Sequence, residues 1–76
     1  MDIKAAFGTV LRKYRTKVGL SQEHLALEAG LDRSYISLIE RGLRGASLET
    51  IITLAHTLDI TAAILVQETE QLISLE

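Results

Sequence analysis

The stretch of sequence that decides the fold is residues 19–42, which read GLSQEHLALEAGLDRSYISLIERG. Its apolar residues recur at helical spacing on either side of Gly30, which predicts short helices over about residues 22–29 and 33–41. Ser21 and Asp32 stand just before these segments, where a short side-chain oxygen accepts a hydrogen bond from a free backbone N–H group of the first turn. Two short helices joined by a tight turn form a helix-turn-helix, here about residues 21–41, whose second helix can enter the major groove of DNA.

The remaining sequence predicts three more helices, over about residues 3–18, 48–58 and 62–74. Ser47 and Thr61 repeat the capping signal, and the chain has no proline and no strand-like alternation. An apolar residue before each cap pairs with one five positions later, as in a hydrophobic staple: Leu20/Leu25, Leu31/Ile36, Ala46/Ile51 and Ile60/Leu65. The apolar stripe of the fourth helix is Leu48, Ile51, Ile52, Ala55 and Leu58. We predict an all-α fold, a compact five-helix domain that covers residues 1–76.

Length and composition exclude several classes of protein. Seventy-six residues make one domain, and without cysteine there is no disulfide framework and no thiolate metal site. His24 and His56 lie far apart in sequence without clustered carboxylates, so no metal or other cofactor is expected. Five small helices offer no evident pocket for catalytic groups, and we predict that the chain is not an enzyme. The N-terminus lacks the order of a signal peptide and no apolar run is long enough to span a membrane, which favours a cytoplasmic protein.

The two halves of the chain differ in charge far more than the net charge of −2 suggests. Residues 1–45 carry all eight Lys and Arg and five of the ten Asp and Glu, whereas residues 46–76 carry the other five acidic residues and no Lys or Arg. This asymmetry indicates a basic face for a polyanion and an acidic face with another role. Chance scatter of solvated charge is the alternative.

The segment from Leu11 to Leu65 resembles the lambda-repressor/Cro-like helix-turn-helix family. The resemblance is carried by the quoted stretch at residues 19–42 and by SLETIITLAHTL at residues 47–58. The small size and the stretch DRSYISLIERGLR at residues 32–44 also resemble the controller proteins of restriction–modification systems. The resemblance implies a lambda-repressor-like domain that binds double-stranded DNA, places residues 33–41 in the major groove as the recognition helix, and regulates transcription.

Ten positions match those at which the family contacts DNA. They are Gln22, Arg33, Ser34, Tyr35, Ser37, Leu38, Arg41, Arg44, Arg12 and Arg15. Arg33 and Ser34 open the recognition helix, where an arginine can pair with the O6 and N7 atoms of guanine. Leu38, one turn later, is expected to pack on a thymine methyl group.

The other matched positions are expected to contact the DNA backbone. Arg12, Arg15, Arg41 and Arg44 are assigned to phosphates, or to the minor groove for the last two. Gln22, at a helix N-terminus, is assigned either to a phosphate or to the support of a base contact. Tyr35 either contacts DNA or lines the edge of the core. Glu40 is expected to pair with a basic neighbour, and Leu27 and Leu43 receive no role.

The fifth predicted helix begins with Ala62-Ala63-Ile64-Leu65-Val66, which is apolar around its whole first turn. A helix of that kind leaves an exposed apolar surface unless a partner covers it. We therefore expect a twofold homodimer through this helix, with the interface residues Ile64, Leu65, Val66, Leu72 and Leu75. The alternative is that the helix folds back over its own core.

The sequence as a whole predicts a dimeric transcriptional regulator that binds an inverted-repeat operator. A twofold dimer sets two recognition helices about one DNA turn apart, roughly 34 Å. No separate sensing domain is evident, so no small-molecule ligand is expected. The alternative function is a helix-turn-helix fold used as a protein-interaction module, such as an antitoxin that neutralises a partner protein.

Overall fold

Five helices make up the part of the chain that the computed structural model describes, residues 1–74. They are α1 (Ile3–Lys17), α2 (Gln22–Ala29), α3 (Arg33–Glu40), α4 (Leu48–Thr57) and α5 (Ala62–Ser74). The predicted all-α fold is confirmed, and every predicted helix end agrees to within one residue. Gly30 closes α2 in the left-handed conformation, with φ of 70°, which glycine adopts without a steric penalty.

Short polar side chains begin most of the helices. Asp2, Ser21, Ser47 and Thr61 each accept a hydrogen bond from the backbone N–H three residues later, at N···O distances of 2.7, 3.0, 3.1 and 3.3 Å. Sequence analysis did not identify the Asp2 cap. Asp32 stands at the N-terminus of α3 as predicted, but its side chain makes no capping hydrogen bond. The start of α3 therefore depends on packing and on the backbone bonds that the Asp32 carbonyl accepts.

The core is formed by side chains from every helix. The large side chains with no exposed surface are Leu11, Leu25, Ile36, Ile39, Leu54 and Leu65. Burial of an aliphatic side chain of this size contributes about 1.5–3 kcal/mol to folding. Helix α1 packs on α3 and α5, and α2 packs on α3 and α4, so the recognition helix is held from two sides.

A glycine allows α1 to cross α3 closely. A Cβ atom on Gly8 would lie 2.3 Å from the carbonyl oxygen of Ile39 and 2.8 Å from that of Glu40, distances that no real side chain tolerates. Both oxygens belong to the backbone, which cannot move aside without shifting the helix. Gly8 therefore fixes how near α3 lies to α1, a role that the sequence analysis missed.

The apolar stripe predicted for α4 is correct only in part. Ala55 and Leu58 are buried and Ile51 is half-buried, but Leu48 and Ile52 are 70% and 52% exposed. The predicted stripe is wider than the part of α4 that packs against the core. Its two outer members, Leu48 and Ile52, therefore point toward solvent. Leu27 and Leu43, which had no assigned role, are also exposed.

The predicted interface on α5 needs one correction. Leu65 is completely buried within its own chain, packed in the core, so it cannot contact a partner. Ile64 and Leu72 are half-buried, Val66 is 41% exposed, and Leu75 lies outside the described residues. Helix α5 thus folds back over its own core with one side, which is the alternative that the sequence left open, and its other side is exposed.

Within residues 1–74 no single helix is long and apolar enough to cross a membrane. Helices α4 and α5 together have sufficient length and hydropathy, but the chain bends by 111° between them.

Replacing Gly8 by alanine should destabilise the domain, because the added methyl group would push α1 away from the backbone of α3. We expect a loss of about 1–3 kcal/mol in the free energy of unfolding, measured by urea denaturation. Gly45→Ala is the matched control, since a Cβ at Gly45 would meet only the Lys4 side chain, at 3.8 Å. Equal stabilities of the two variants would contradict the close approach.

Candidate nucleic-acid interface

Helix α3 presents a continuous outward face. Its inner side is set by Ile36 and Ile39, which are fully buried. Because successive residues turn by about 100° around a helix, the positions opposite these two face away from the core. We call them the outward arc of α3: Arg33 and Ser34, which are exposed, Ser37 and Leu38, which are half-buried, and the exposed Arg41 at the C-cap. All five are predicted DNA contacts.

One buried carboxylate fixes this helix to the two before it. The side chain of Glu40 is 3% exposed, and it accepts hydrogen bonds from Arg15 Nε at 2.6 Å and Arg15 Nη2 at 2.9 Å. Its Oε1 atom also accepts from Gln22 Nε2 at 3.0 Å. The hydrogen bonds to Glu40 raise the pKa of the Arg15 guanidinium further above its ordinary value, although burial opposes the shift. Glu40 of α3 therefore joins α1 and α2, and the predicted pairing with a basic neighbour is confirmed.

This network corrects the role assigned to Arg15. The Arg15 side chain is only 11% exposed, and its Nη1 donates to the carbonyl oxygen of Leu20 at 2.8 Å, so its three nitrogens are all engaged inside the protein. Arg15 is thus a buried structural cation and not a phosphate contact. Sequence analysis missed this because Glu40 lies 25 positions away. Gln22, the first residue of α2, donates one amide hydrogen to Glu40. Its second amide hydrogen remains available for another acceptor.

Tyr35 lies between the recognition helix and α4. Its hydroxyl donates to Thr50 Oγ1 at 3.4 Å, and its half-buried ring packs against the core. The guanidinium of Arg44 lies over the same ring, 5.4 Å from the centroid, as in a cation–π contact. Tyr35 therefore lines the edge of the core, one of its two predicted roles, and also supports Arg44.

Three arginines remain for an external anion. Arg12, Arg33 and Arg41 are exposed and make no ion pair with any residue of the described chain. Together with Arg44 they leave four exposed guanidinium groups in the first half of the chain, of which Arg33 and Arg41 belong to the outward arc of α3. A concentration of unpaired positive charge attracts a polyanion such as nucleic acid.

The lysines at the end of α1 face a different part of the molecule. Lys13 Nζ is 2.7 Å from Glu68 Oε1 of α5, and the Tyr14 hydroxyl donates to the other oxygen of that carboxylate. The hydrogen bond from Lys13, then that from Tyr14, lowers the pKa of Glu68 below its ordinary value. Lys13 and Lys17 also lie 5.3 and 5.7 Å from the centre of the Tyr14 ring. These contacts dock α5 on α1.

An apolar groove of about 280 Å³ lies on the opposite flank of α5 from that contact. Its apolar lining includes Ile3 of α1, Ile51 of α4, and Val66 and Ile73 of α5. Ile3 is 70% exposed, and α4, which lines the groove through Ile51, carries two further exposed apolar side chains, Leu48 and Ile52. We call these residues the apolar face. The sequence pointed to α5 here but missed the contributions of α1 and α4.

The structure offers no site for a metal ion in the part it describes. Among residues 1–74, no group of three or more His, Cys, Asp or Glu side chains lies close enough to hold one.

The helix-turn-helix family model matches residues 11–65, nearly three quarters of the chain, and includes the whole of α2, α3 and α4. The chain belongs to the helix-turn-helix family. This helix-turn-helix protein is 42% identical over 71 residues to the control protein C.MunI of a Mycoplasma species, with 92% of this chain and 96% of the relative covered.

Solved structures support the same conclusion. The restriction–modification controller protein C.AhdI of Aeromonas hydrophila superposes with a TM-score of 0.78 and 52% identity, over 80% of this chain and 92% of that one. The controller protein C.Esp1396I, solved as a tetramer in complex with its natural 35 base-pair operator, superposes with a TM-score of 0.82 and 27% identity, over 93% of each chain. All three relatives are control or controller proteins, in agreement with the prediction that this helix-turn-helix protein is not an enzyme.

Removing Arg15 should destabilise the fold strongly, because the Glu40 carboxylate would stay buried without a cation. We expect Arg15→Ala to lose about 3–5 kcal/mol in the free energy of unfolding, measured by urea denaturation. Arg12→Ala, an exposed arginine one turn earlier, is the control and should change stability by no more than about 0.5 kcal/mol. If both variants lost the same small amount, the buried pair would not hold α1 and α3 together.

Proposed function

We propose that this chain is a sequence-specific DNA-binding transcriptional regulator of the restriction–modification controller class, acting in the cytoplasm as a homodimer on an inverted-repeat operator. The observation that carries the proposal is the outward arc of α3, which Glu40 and Gly8 hold against α1 in a chain of the helix-turn-helix family. The operator complex of C.Esp1396I supports it, since that relative shares the fold over 93% of both chains.

Direct reading of bases is assigned to the start and middle of α3. Arg33 is exposed and unpaired at the first helical position, where it can donate two hydrogen bonds to guanine O6 and N7. Ser34 and Ser37 can donate to or accept from neighbouring base edges. Leu38 offers an apolar contact to a thymine methyl group. Such contacts give sequence preference because each base pair presents a different pattern in the major groove.

Contacts with the DNA backbone are assigned to residues around this helix. The free amide hydrogen of Gln22 and the unsatisfied backbone N–H groups at the start of α2 can bind one phosphate. Arg12 and Arg41 supply exposed positive charge on either side. Arg44 is held over Tyr35 and is assigned to a phosphate or to the minor groove.

Dimerisation is assigned to the apolar face. Ile3, Leu48, Ile52 and Val66 account for four of the eight large hydrophobic side chains that are exposed in the described chain. A clustered apolar surface around a groove usually marks an interface between proteins. A twofold contact through α4 and α5 leaves both outward arcs free, so that two half-sites can be read at once. Ile64 and Leu72 are half-buried and lie one turn before and one turn after Glu68, on the flank of α5 that meets α1, so neither is assigned to this contact.

Arg33→Ala should weaken binding to the preferred duplex by about 1–3 kcal/mol and relax selection at one base position of each half-site. The preferred duplex is first selected from a random pool at roughly physiological salt. Arg12→Ala is the control and should weaken binding to all duplexes alike, with a salt slope smaller by about 0.9 for each phosphate that the variant no longer neutralises. No enriched inverted repeat from the folded wild-type protein would overturn the proposed function and favour a protein-interaction module.

Val66→Asp should weaken dimerisation more than tenfold, because a carboxylate would be buried in an apolar contact without a partner. Sedimentation equilibrium measures this against the monomer mass of 8.4 kDa. Leu27→Asp places the same charge at a 75% exposed leucine of α2, outside the apolar face, and should leave the dimer intact. A Val66→Asp protein that is still dimeric at the wild-type concentration would place the interface elsewhere.

A further inference from the structure

Leu43 is an exposed leucine that the fold does not explain. It lies in the loop between α3 and α4, 62% exposed, and is not part of the hydrophobic core. Its neighbours in the loop are Arg41 and Arg44, both exposed and both assigned to DNA. We infer that Leu43 is a specificity-determining residue that packs against the C5 methyl group of a thymine in the operator. The inference rests on the proposed DNA-binding function.

Backbone hydrogen bonds hold this loop in one conformation. The N–H of Gly42 donates to the carbonyl oxygen of Ile39, and the N–H of Leu43 donates to that of Leu38, both at 3.0 Å. This pair of bonds is the Schellman motif that closes a helix. Gly42 has φ of 73°, and a Cβ there would lie 2.9 Å from the Cα of Ala5, so the turn is also packed against α1. Leu43 is therefore already in place before DNA arrives.

The same motif places Leu43 beside the recognition helix. In Schellman motifs the residue after the glycine is commonly paired with an apolar residue five positions earlier, which here is Leu38. Leu38 belongs to the outward arc of α3. The backbone bond from Leu43 to Leu38 thus brings an exposed leucine next to a half-buried one, beside the arginines and serines of the outward arc.

The chemistry of the major groove identifies the target of Leu43. The base-pair edges there present hydrogen-bond donors and acceptors, and the C5 methyl group of thymine is the apolar exception. Phosphates reject a leucine because it can neither donate a hydrogen bond nor neutralise their charge. A leucine next to the reading face thus gains most by covering a thymine methyl group, since this removes apolar surface of both partners from water.

The test removes the methyl group without changing base pairing. Each thymine of the selected operator half-site is replaced by deoxyuridine, one at a time, and the dissociation constant is measured for the wild type and for Leu43→Ser. We expect that at one thymine, adjacent to any thymine that Leu38 contacts, replacement by deoxyuridine weakens wild-type binding about fourfold. Leu43→Ser should bind the thymine and uracil duplexes of that position equally. Leu27→Ser, which changes a leucine of α2 that is 75% exposed, should keep the wild-type response.

Other results would overturn the assignment. They are a wild type that is indifferent to every uracil substitution, a Leu43→Ser protein with the wild-type response at each position, and a Leu43→Ser protein that loses affinity equally for thymine and uracil duplexes with no change in methyl discrimination. The last result would mean contact with a sugar. All three presuppose an operator that the wild type binds, so failure of the proposed function is recognised earlier, when no operator is enriched. Circular dichroism of Leu43→Ser checks that it is folded.

Discussion

The carboxylate of Glu40 is the constraint on which the orientation of the recognition helix depends. It lies on α3 and is bound by Arg15 of α1 and Gln22 of α2, in a position where its side chain is 3% exposed. Removing both charges from water is expensive, and a buried ion pair gives little net stability compared with apolar packing. Its effect is instead selective, since any other arrangement of the three helices would leave a charge buried without its partner. The outward arc of α3 is thus presented in one orientation.

The remaining charges either stay unpaired near α3 or help to dock α5 on α1. The unpaired arginines surround α3 and its following loop, while the lysines near the end of α1 are occupied by Glu68 and Tyr14. Of the acidic residues on α5, Glu68 is paired on the flank that meets α1, and Glu70 lines the apolar groove on the other flank, together with Lys4 and Arg44. Helix α5 therefore uses one carboxylate to dock on α1 and leaves the apolar face for the proposed second copy of the chain.

Much of this structure could be predicted from local sequence, and the errors have one physical origin. The helix limits were predictable because caps and glycines act within a few residues of where they stand. Arg15 was assigned to DNA because its true partner is distant in sequence. Leu65 was assigned to an interface because an all-apolar turn does not indicate which side meets α1. The role of Gly8 could not be predicted from local sequence, since it depends on the helix that crosses α1 at that point.

The close approach at Gly8 also limits the transfer of the recognition helix to other proteins. The outward arc carries few core contacts, so its side chains can be exchanged to redirect the protein to another operator. Grafting the whole of α3 onto a different scaffold places a further demand on that scaffold. The acceptor would need a gap in its first helix that admits the carbonyl groups of Ile39 and Glu40, and without that gap the transplanted residues would meet the DNA at the wrong angle.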